Sequence, residues 1–169
     1  PCDTVEALVA WESAVESAKT PSVIIGSRQN IEFTKRSPEM IQAQAKEALQ
    51  KGAYVMLESG KGADCIDCVL LATGSEIPLA VKARAVLEAK GLGVRVVSMP
   101  CVDLFDRLPE AQQKALLTDA PKVAIEASVT GLWYKYVKDG RVIGIDTFGE
   151  SAPASVLWEK FGFTVDRVV

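Results

Sequence analysis

The sequence contains no histidine among its 169 residues. Imidazole is the commonest general base, proton shuttle and nitrogen ligand for metals in proteins. Its absence excludes a Ser-His or Cys-His nucleophile built from this chain. It also removes the most frequent ligand from any metal site that these residues could form.

Cysteine is scarce, with four residues at positions 2, 65, 68 and 101. They are too few and too unevenly spaced for a disulfide scaffold, which favours a reducing compartment. Cys65 and Cys68 have the spacing of a redox pair or of half a zinc site, but no second half is present. They lead into the apolar run 69–71 rather than opening a helix, so we expect ordinary thiols at the entrance of a strand.

Long apolar runs and blocks of one charge are also missing. No stretch reaches the roughly 18 to 20 apolar residues of a membrane span, and the first residues do not form a secretory signal. Nineteen basic and 22 acidic residues leave a net charge of −3. We therefore expect a soluble, cytoplasmic chain with neither a nucleic acid nor a membrane as partner. Its 49% hydrophobic residues are sufficient for a folded core.

The first 36 residues have their own pattern. Asp3 and Glu6 form a capping pair, and apolar residues at helical spacing predict a helix over residues 4–18. Residues 22–26 are β-branched and predict a buried strand. Periodicity is lost from residue 31, and Ser37 followed by Pro38 is typical of a new helix start. We place a domain boundary here, with residues 1–36 ending one α/β domain and residues 37–169 forming another.

Short apolar runs alternate with helical patterns in the second region. A helix with Pro78 in its first turn and Gly91 at its end separates the second strand from the third, which makes a β-α-β unit. We predict an open, mainly parallel five-stranded α/β sheet with helices on both faces, a Rossmann-like three-layer arrangement. The predicted strands are 53–57, 68–72, 94–97, 123–125 and 142–145. Further helices are predicted over 109–117, 128–137 and 153–161.

Arg28 directly follows the predicted strand 22–26, and ligands bind at the carboxyl ends of strands in open parallel sheets. Its guanidinium could hold a phosphate or carboxylate, or it could form a surface ion pair with Glu32.

The turn at Gly74 and Ser75 could bind an anion through helix-start amides, but Glu76 would repel phosphate, which favours a structural turn. Carboxylates also stand near strand ends, without demonstrable convergence: Asp103, Asp106, Glu126 and Asp146.

Several strings together resemble the C-terminal third of transketolases, in the family's order. The strings are Ser-Arg-Gln-Asn (27–30), Leu-Ala-Thr-Gly-Ser-Glu (71–76), Val-Arg-Val-Val-Ser-Met-Pro (94–100), Asp-Leu-Phe-Asp (103–106), Gly-Ile-Asp-Thr-Phe-Gly (144–149) and Phe-Gly-Phe-Thr (161–164). The sequence departs from the family's pattern at 31–33, where Ile-Glu-Phe replaces the usual Leu-Pro.

The resemblance implies that residues 1–36 end a pyrimidine-binding domain and its linker, and that residues 37–169 are the C-terminal domain. It implies transfer of a two-carbon ketol unit between sugar phosphates by a homodimer that uses thiamine diphosphate and magnesium. Arg28 then corresponds to the family's substrate-phosphate contact. The cofactor-binding and catalytic parts belong to earlier regions, so we expect no catalytic, cofactor or metal residue in this chain, and no activity when it is isolated.

The first predicted helix and strand form only half of a β-α-β unit, and the chain ends in the apolar residues Val168 and Val169, so we expect an origin in a longer polypeptide. Two alternatives stay open from the sequence. One is the C-terminal domain of a related thiamine enzyme, such as a deoxyxylulose phosphate synthase or a dehydrogenase subunit. The other is a free-standing α/β module that binds a phosphorylated metabolite at the Gly74 turn.

Overall fold

The computed structural model describes all residues from 1 to 169. Its helices are α1 (Thr4–Glu16), α2 (Pro38–Lys51), α3 (Ile77–Ala89), α4 (Val102–Asp106), α5 (Glu110–Leu117), α6 (Tyr134–Val137), α7 (Ala154–Phe161) and α8 (Val165–Val168). Its strands are β1 (Tyr54–Leu57), β2 (Cys68–Ala72), β3 (Val94–Ser98), β4 (Lys122–Ile125) and β5 (Arg141–Ile143). The five strands lie within two residues of their predicted bounds.

The strands form one open sheet in the order β1-β3-β2-β4-β5. β3, β2, β4 and β5 run parallel, whereas β1 pairs antiparallel with β3 at one edge. This arrangement confirms the predicted five-stranded, mainly parallel sheet. The parallel strands bring their carboxyl ends to the same edge, and loops from three of them meet there.

Helices cover both faces of the sheet, as predicted. In β2, Leu70 packs in the same layer as α3, and Leu71 packs in the opposite layer with Phe105 of α4. Because both faces are buried, β2 is a continuous apolar run rather than an alternating one. The layer opposite α3 also contains residues of α5 and α6.

The predicted starts of α1 and α2 are present, whereas α1 ends at Glu16, two residues before its predicted end. The Oδ1 atom of Asp3 accepts a hydrogen bond from the backbone N–H of Glu6 at 2.9 Å, and Ser37 caps α2 through the N–H of Met40 at 3.2 Å. α2 ends at Gly52, whose φ of +69° is in the left-handed region. These local signals explain why the helix positions could be read from the sequence.

The prediction of a strand over residues 22–26 is wrong. This segment has no regular secondary structure, and the side chains of Val23 and Ile25 are 84% and 81% exposed. A strand is stabilised by hydrogen bonds to a neighbouring strand, and no strand of this chain lies beside it.

The predicted helix over 128–137 is also wrong as a single element. It divides into a 3-10 turn (Thr130–Leu132) and the short helix α6. The carboxylate of Asp146 accepts a hydrogen bond from the N–H of Thr130 at 2.8 Å, and the N–H of Ile145 donates to the carbonyl of Ser128 at 2.8 Å. These contacts hold the turn and end β5 at Ile143. The short helices α4 and α8 were not predicted.

None of the helices combines the length and the apolar character needed to cross a membrane. The longest, α2, has 14 residues.

Candidate functional site

A cavity of about 790 Å³ lies at the carboxyl edge of the parallel strands. The loops that follow β2, β3 and β4 form one wall, and residues 20–29 with part of α1 form another. Ligands bind at this edge of open parallel sheets because the strand ends diverge there and leave loops free to contact them. The cavity is therefore the principal candidate site of the chain.

Arg28 lies on the wall of this cavity and is exposed. Its guanidinium makes no ion pair or side-chain hydrogen bond within the chain. The alternative partner considered from the sequence, Glu32, instead pairs with Lys82, with 2.9 Å between Oε2 and Nζ. The expected surface pair between Arg28 and Glu32 is therefore absent, and all donors of the Arg28 fork are available to a ligand.

A buried polar network lies behind the cavity and joins α1 to the sheet. The carboxylate of Glu6 is buried, and its Oε1 atom accepts hydrogen bonds from Tyr54 at 2.8 Å and Ser98 at 2.5 Å. Its Oε2 atom accepts from the N–H of Cys2 at 2.6 Å. Each buried oxygen thus has a partner, as the cost of burying a carboxylate demands.

Arg36 extends this network. Its side chain is fully buried and forms an ion pair with Asp3. Its Nη1 atom donates to Gln44 at 3.0 Å, and Gln44 in turn donates to the backbone carbonyls of Val55 and Met56. The sequence pattern predicts only a capping role for Glu6 and does not identify Arg36, Tyr54 or Ser98, because their partners lie far away along the chain.

The turn after β2 is structural, as favoured from the sequence. Residues Gly74–Glu76 form a 3-10 turn that leads into α3. Glu76 is 3% exposed, its Oε1 accepts from the Ser75 hydroxyl at 2.8 Å, and burial raises the pKa of its carboxyl. A buried carboxyl at this turn disfavours phosphate binding by the same backbone amides.

Glu126, at the end of β4, lines the same cavity. Burial, and then the nearby carboxylate of Glu76, raise the pKa of Glu126 to about 8. Its Oε2 atom is buried and has no hydrogen-bond partner. The two glutamates thus meet where two parallel strands end, and Glu126 holds a proton at neutral pH.

The other acidic residues near strand ends do not join this pair. Asp106 accepts from Lys135 at 2.6 Å and Tyr136 at 3.1 Å, and Asp146 holds the Thr130 turn. Asp103 is exposed on α4. No group of three or more Cys, Asp or Glu side chains is arranged to hold a metal ion.

Cys65 and Cys68 lie at a strand entrance, as expected. Cys68 is the first residue of β2, and burial raises the pKa of its thiol. A redox-active thiol at a helix start has a lowered pKa because the helix dipole favours the thiolate. Cys68 does not open a helix and its pKa is raised, so it lacks both features of a redox-active thiol.

The chain matches a known family over most of its length. Residues 52–164 match the model of the transketolase-like TK C-terminal domain. The chain is 46% identical over its whole length to transketolase 2 of Pasteurella multocida and 49% identical to transketolase 2 of Vibrio vulnificus. It spans 25% of the length of each of these curated relatives.

Solved structures agree with this match. Transketolase from Leishmania mexicana superposes with a TM-score of 0.86 at 41% identity, over 100% of this chain and 23% of the other. A Pichia stipitis transketolase in complex with sedoheptulose 7-phosphate gives 0.84 at 34% identity, over 99% and 23%. An inactive β4 tetramer of a split-gene transketolase gives 0.53 at 26% identity, over 70% and 40%. The chain belongs to the transketolase-like C-terminal domain family.

Proposed function

We propose that the whole protein is a transketolase, which transfers a two-carbon ketol unit between sugar phosphates in the pentose phosphate pathway. This chain is then its C-terminal part and supplies a folded domain, support for subunit contact and one contact to the substrate phosphate. Support comes from the match of the whole chain to one quarter of curated transketolases.

The observation that carries the substrate contact is the unpaired guanidinium of Arg28. An exposed arginine on a cavity wall, with its neighbouring carboxylate already engaged by Lys82, keeps its full positive charge for a ligand. A guanidinium matches two phosphate oxygens with two parallel hydrogen bonds. Such a contact would fix the distance from the phosphate to the reacting carbonyl, which is a positional contribution to the rate.

The test is Arg28→Ala in the full-length enzyme, assayed with xylulose 5-phosphate and with xylulose. We expect KM for the phosphorylated ketose to rise by about 10-fold or more, because a charge-assisted pair is lost, and KM for xylulose to change by less than about twofold. The control is Arg107→Ala, since Arg107 is also an exposed arginine on the cavity wall without an ion pair. Equal changes for the two substrates, or the same selectivity loss in the control, would reject the role.

Thiamine diphosphate and magnesium do not fit the residues of this chain. The chain has no histidine and no cluster of acidic or thiol ligands for a metal. We therefore place both groups in the remaining part of the full-length protein and expect the isolated chain to bind neither.

We further propose that the full-length protein is a cytoplasmic homodimer that acts on sugar phosphates and binds neither nucleic acid nor membrane. The four cysteines are free thiols, which fits a reducing compartment. One structural relative, the split-gene transketolase, is described as an inactive β4 tetramer. That description supports our expectation that this chain is inactive alone.

Residues 1–36 are proposed to complete the preceding pyrimidine-binding domain, and residues 37–169 to form the C-terminal domain. The outer face of α1 supports this division: Leu8, Trp11 and Val15 are 71%, 64% and 80% exposed. These residues are three and four positions apart and form one apolar stripe. We propose that the earlier part of the same polypeptide covers this stripe together with Val23 and Ile25.

A further inference from the structure

Arg28 lies in the segment formed by residues 3–36. A single ion pair joins the first residue of this segment, Asp3, to the last, Arg36. Asp3 precedes α1, Arg36 precedes α2, and the two residues are 33 positions apart in the sequence. The Asp3 and Arg36 side chains are 3% and 0% exposed. We propose that Arg36 is a positioning residue for the substrate phosphate, because its pair with Asp3 closes the segment that presents Arg28.

Arg36 is itself fixed to the C-terminal domain. It donates through Nη1 to Gln44 of α2, and Gln44 donates to the carbonyls of Val55 and Met56 at 2.8 and 2.9 Å. Its Nε atom also donates to the carbonyl of Thr34 at 3.2 Å, which fixes the direction of the chain as it enters α2. The guanidinium therefore has a defined position relative to α2 and β1.

The other end of the segment is fixed to the same sheet. Asp3 accepts the ion pair through Oδ2 and caps α1 through Oδ1. One turn later, Glu6 accepts hydrogen bonds from Tyr54 of β1 and Ser98 of β3. Hydrogen-bonded side chains near both ends of the segment thus hold it against the neighbouring strands β1 and β3.

After α1, the part of the chain around Arg28 makes few contacts that hold it in place. Residues 21–23 and 25–30 are exposed, and no regular hydrogen-bonded structure forms there. The side-chain ion pair between Glu32 and Lys82 involves residues that are 69% and 61% exposed, and such pairs contribute little in water. The position of Arg28 therefore depends on where the two ends are held, since opening a closed segment increases the number of conformations it can adopt.

This inference rests on the proposed phosphate contact of Arg28. Loss of the ion pair should spread the Arg28 guanidinium over more positions and weaken its hold on a phosphate. A displacement of about 1 Å is enough to reduce a well-oriented contact substantially. A substrate without phosphate does not use Arg28, so its binding should be unaffected.

The experiment compares Arg36→Lys and Arg36→Met in the full-length enzyme, again with xylulose 5-phosphate and xylulose. We expect KM for xylulose 5-phosphate to rise by about 5- to 10-fold in both variants, with less than about a twofold change for xylulose. Arg36→Lys retains the charge and serves as the variant that folds if Arg36→Met does not. The control is Arg95→Met, which breaks the ion pair of another buried arginine with the half-exposed Glu58, away from the Arg28 segment.

A double variant separates positioning from general damage. If Arg36 acts through Arg28, then Arg36→Lys should add almost nothing to KM for xylulose 5-phosphate once Arg28→Ala is present. Additive effects of the two substitutions on KM for xylulose 5-phosphate would overturn the positioning role while the Arg28 contact stands. The same would follow if Arg36→Lys and Arg95→Met changed KM for the two ketoses in the same way. If Arg28→Ala itself does not distinguish the two ketoses, the phosphate contact and the positioning role both fail.

Discussion

Two glutamates with raised pKa values and an unpaired arginine are among the charged residues that line the cavity. Glu76 and Glu126 follow β2 and β4, and Arg28 lies on the facing segment. Burial raises the pKa of both carboxyls, and only Glu76 has a hydrogen-bond donor, the Ser75 hydroxyl. A raised carboxyl pKa means that the folded chain binds a proton which the unfolded chain releases. Stability must therefore fall as the pH rises between the unfolded and folded pKa values.

We expect Glu126→Gln to remove most of this pH dependence. Between pH 4.5 and about 8 the wild-type chain loses stability with rising pH, because the unfolded state ionises first. The amide has the shape of the protonated carboxyl and does not ionise. Urea denaturation should show similar stabilities at pH 5 and an advantage of about 2–4 kcal/mol for the variant at pH 9.

Glu12→Gln provides the control for this measurement, because Glu12 is an exposed glutamate without an ion pair. Its pH profile should follow the wild type. Parallel profiles for Glu126→Gln and the wild type would show that Glu126 ionises normally in the folded chain.

Helix ends decide how the elements of this domain connect. α2 must stop and turn directly into β1, and Gly52 makes that turn with a φ of +69°. A Cβ atom at this position would lie 2.2 Å from the carbonyl oxygen of Cys101 and 2.7 Å from the Cβ atom of Leu104. Glycine is therefore required twice, by the backbone conformation and by the close approach of the chain before α4.

We expect Gly52→Ala to destabilise the chain by at least about 3 kcal/mol, measured by urea denaturation. Gly91→Ala is the matched control. Gly91 also has a positive φ, +85°, but a Cβ atom there would meet nothing within 4 Å. It should lose only about 1–2 kcal/mol, the cost of the conformation alone. Equal losses at both positions would show that the chain near Cys101 moves aside at little cost.

The predictability of an element depended on whether its stabilising contacts are local. The start of α2 follows from Ser37 and Pro38 and the end of α3 from Gly91, because capping acts within a few residues. The failed strand over 22–26 has an equally clear β-branched pattern. It lacks a neighbouring strand, and that condition is not written in its own residues.

At the scale of the whole molecule, the chain is a three-layer domain joined to a short segment that ends in a buried ion pair. The carboxyls of Glu76 and Glu126 line the cavity at the carboxyl edge of the sheet, and the chain has no histidine and no metal-binding cluster. In our proposal this domain supplies structure and one substrate contact to a longer enzyme.

We expect no ketol transfer from xylulose 5-phosphate to ribose 5-phosphate by this chain alone, with thiamine diphosphate and magnesium supplied. The intact gene product should be active under the same conditions. Activity of the isolated chain would overturn our placement of the chemistry outside it. Inactivity of the intact protein with its cofactors bound would count against the transketolase proposal.

The sequence by itself determined the local features of this protein. Five apolar runs became the five strands, and β2, which is parallel and buried on both faces, is a continuous apolar run. Ordered strings along the chain identified the resemblance that the family match later confirmed. Arg28 could be selected in advance because the same strings include it, and its role as a phosphate contact stays a prediction.

Only the tertiary structure decided which distant residues meet. The strand order, the antiparallel edge strand β1, the facing carboxyls of Glu76 and Glu126, and the pair of Asp3 with Arg36 are all long-range features. Periodicity and capping depend on neighbours within a few residues. These contacts instead join residues that are 33 or more positions apart, or strands that are not consecutive in the sequence. Their partners are set by how the layers pack, and that information becomes visible only when the chain is folded.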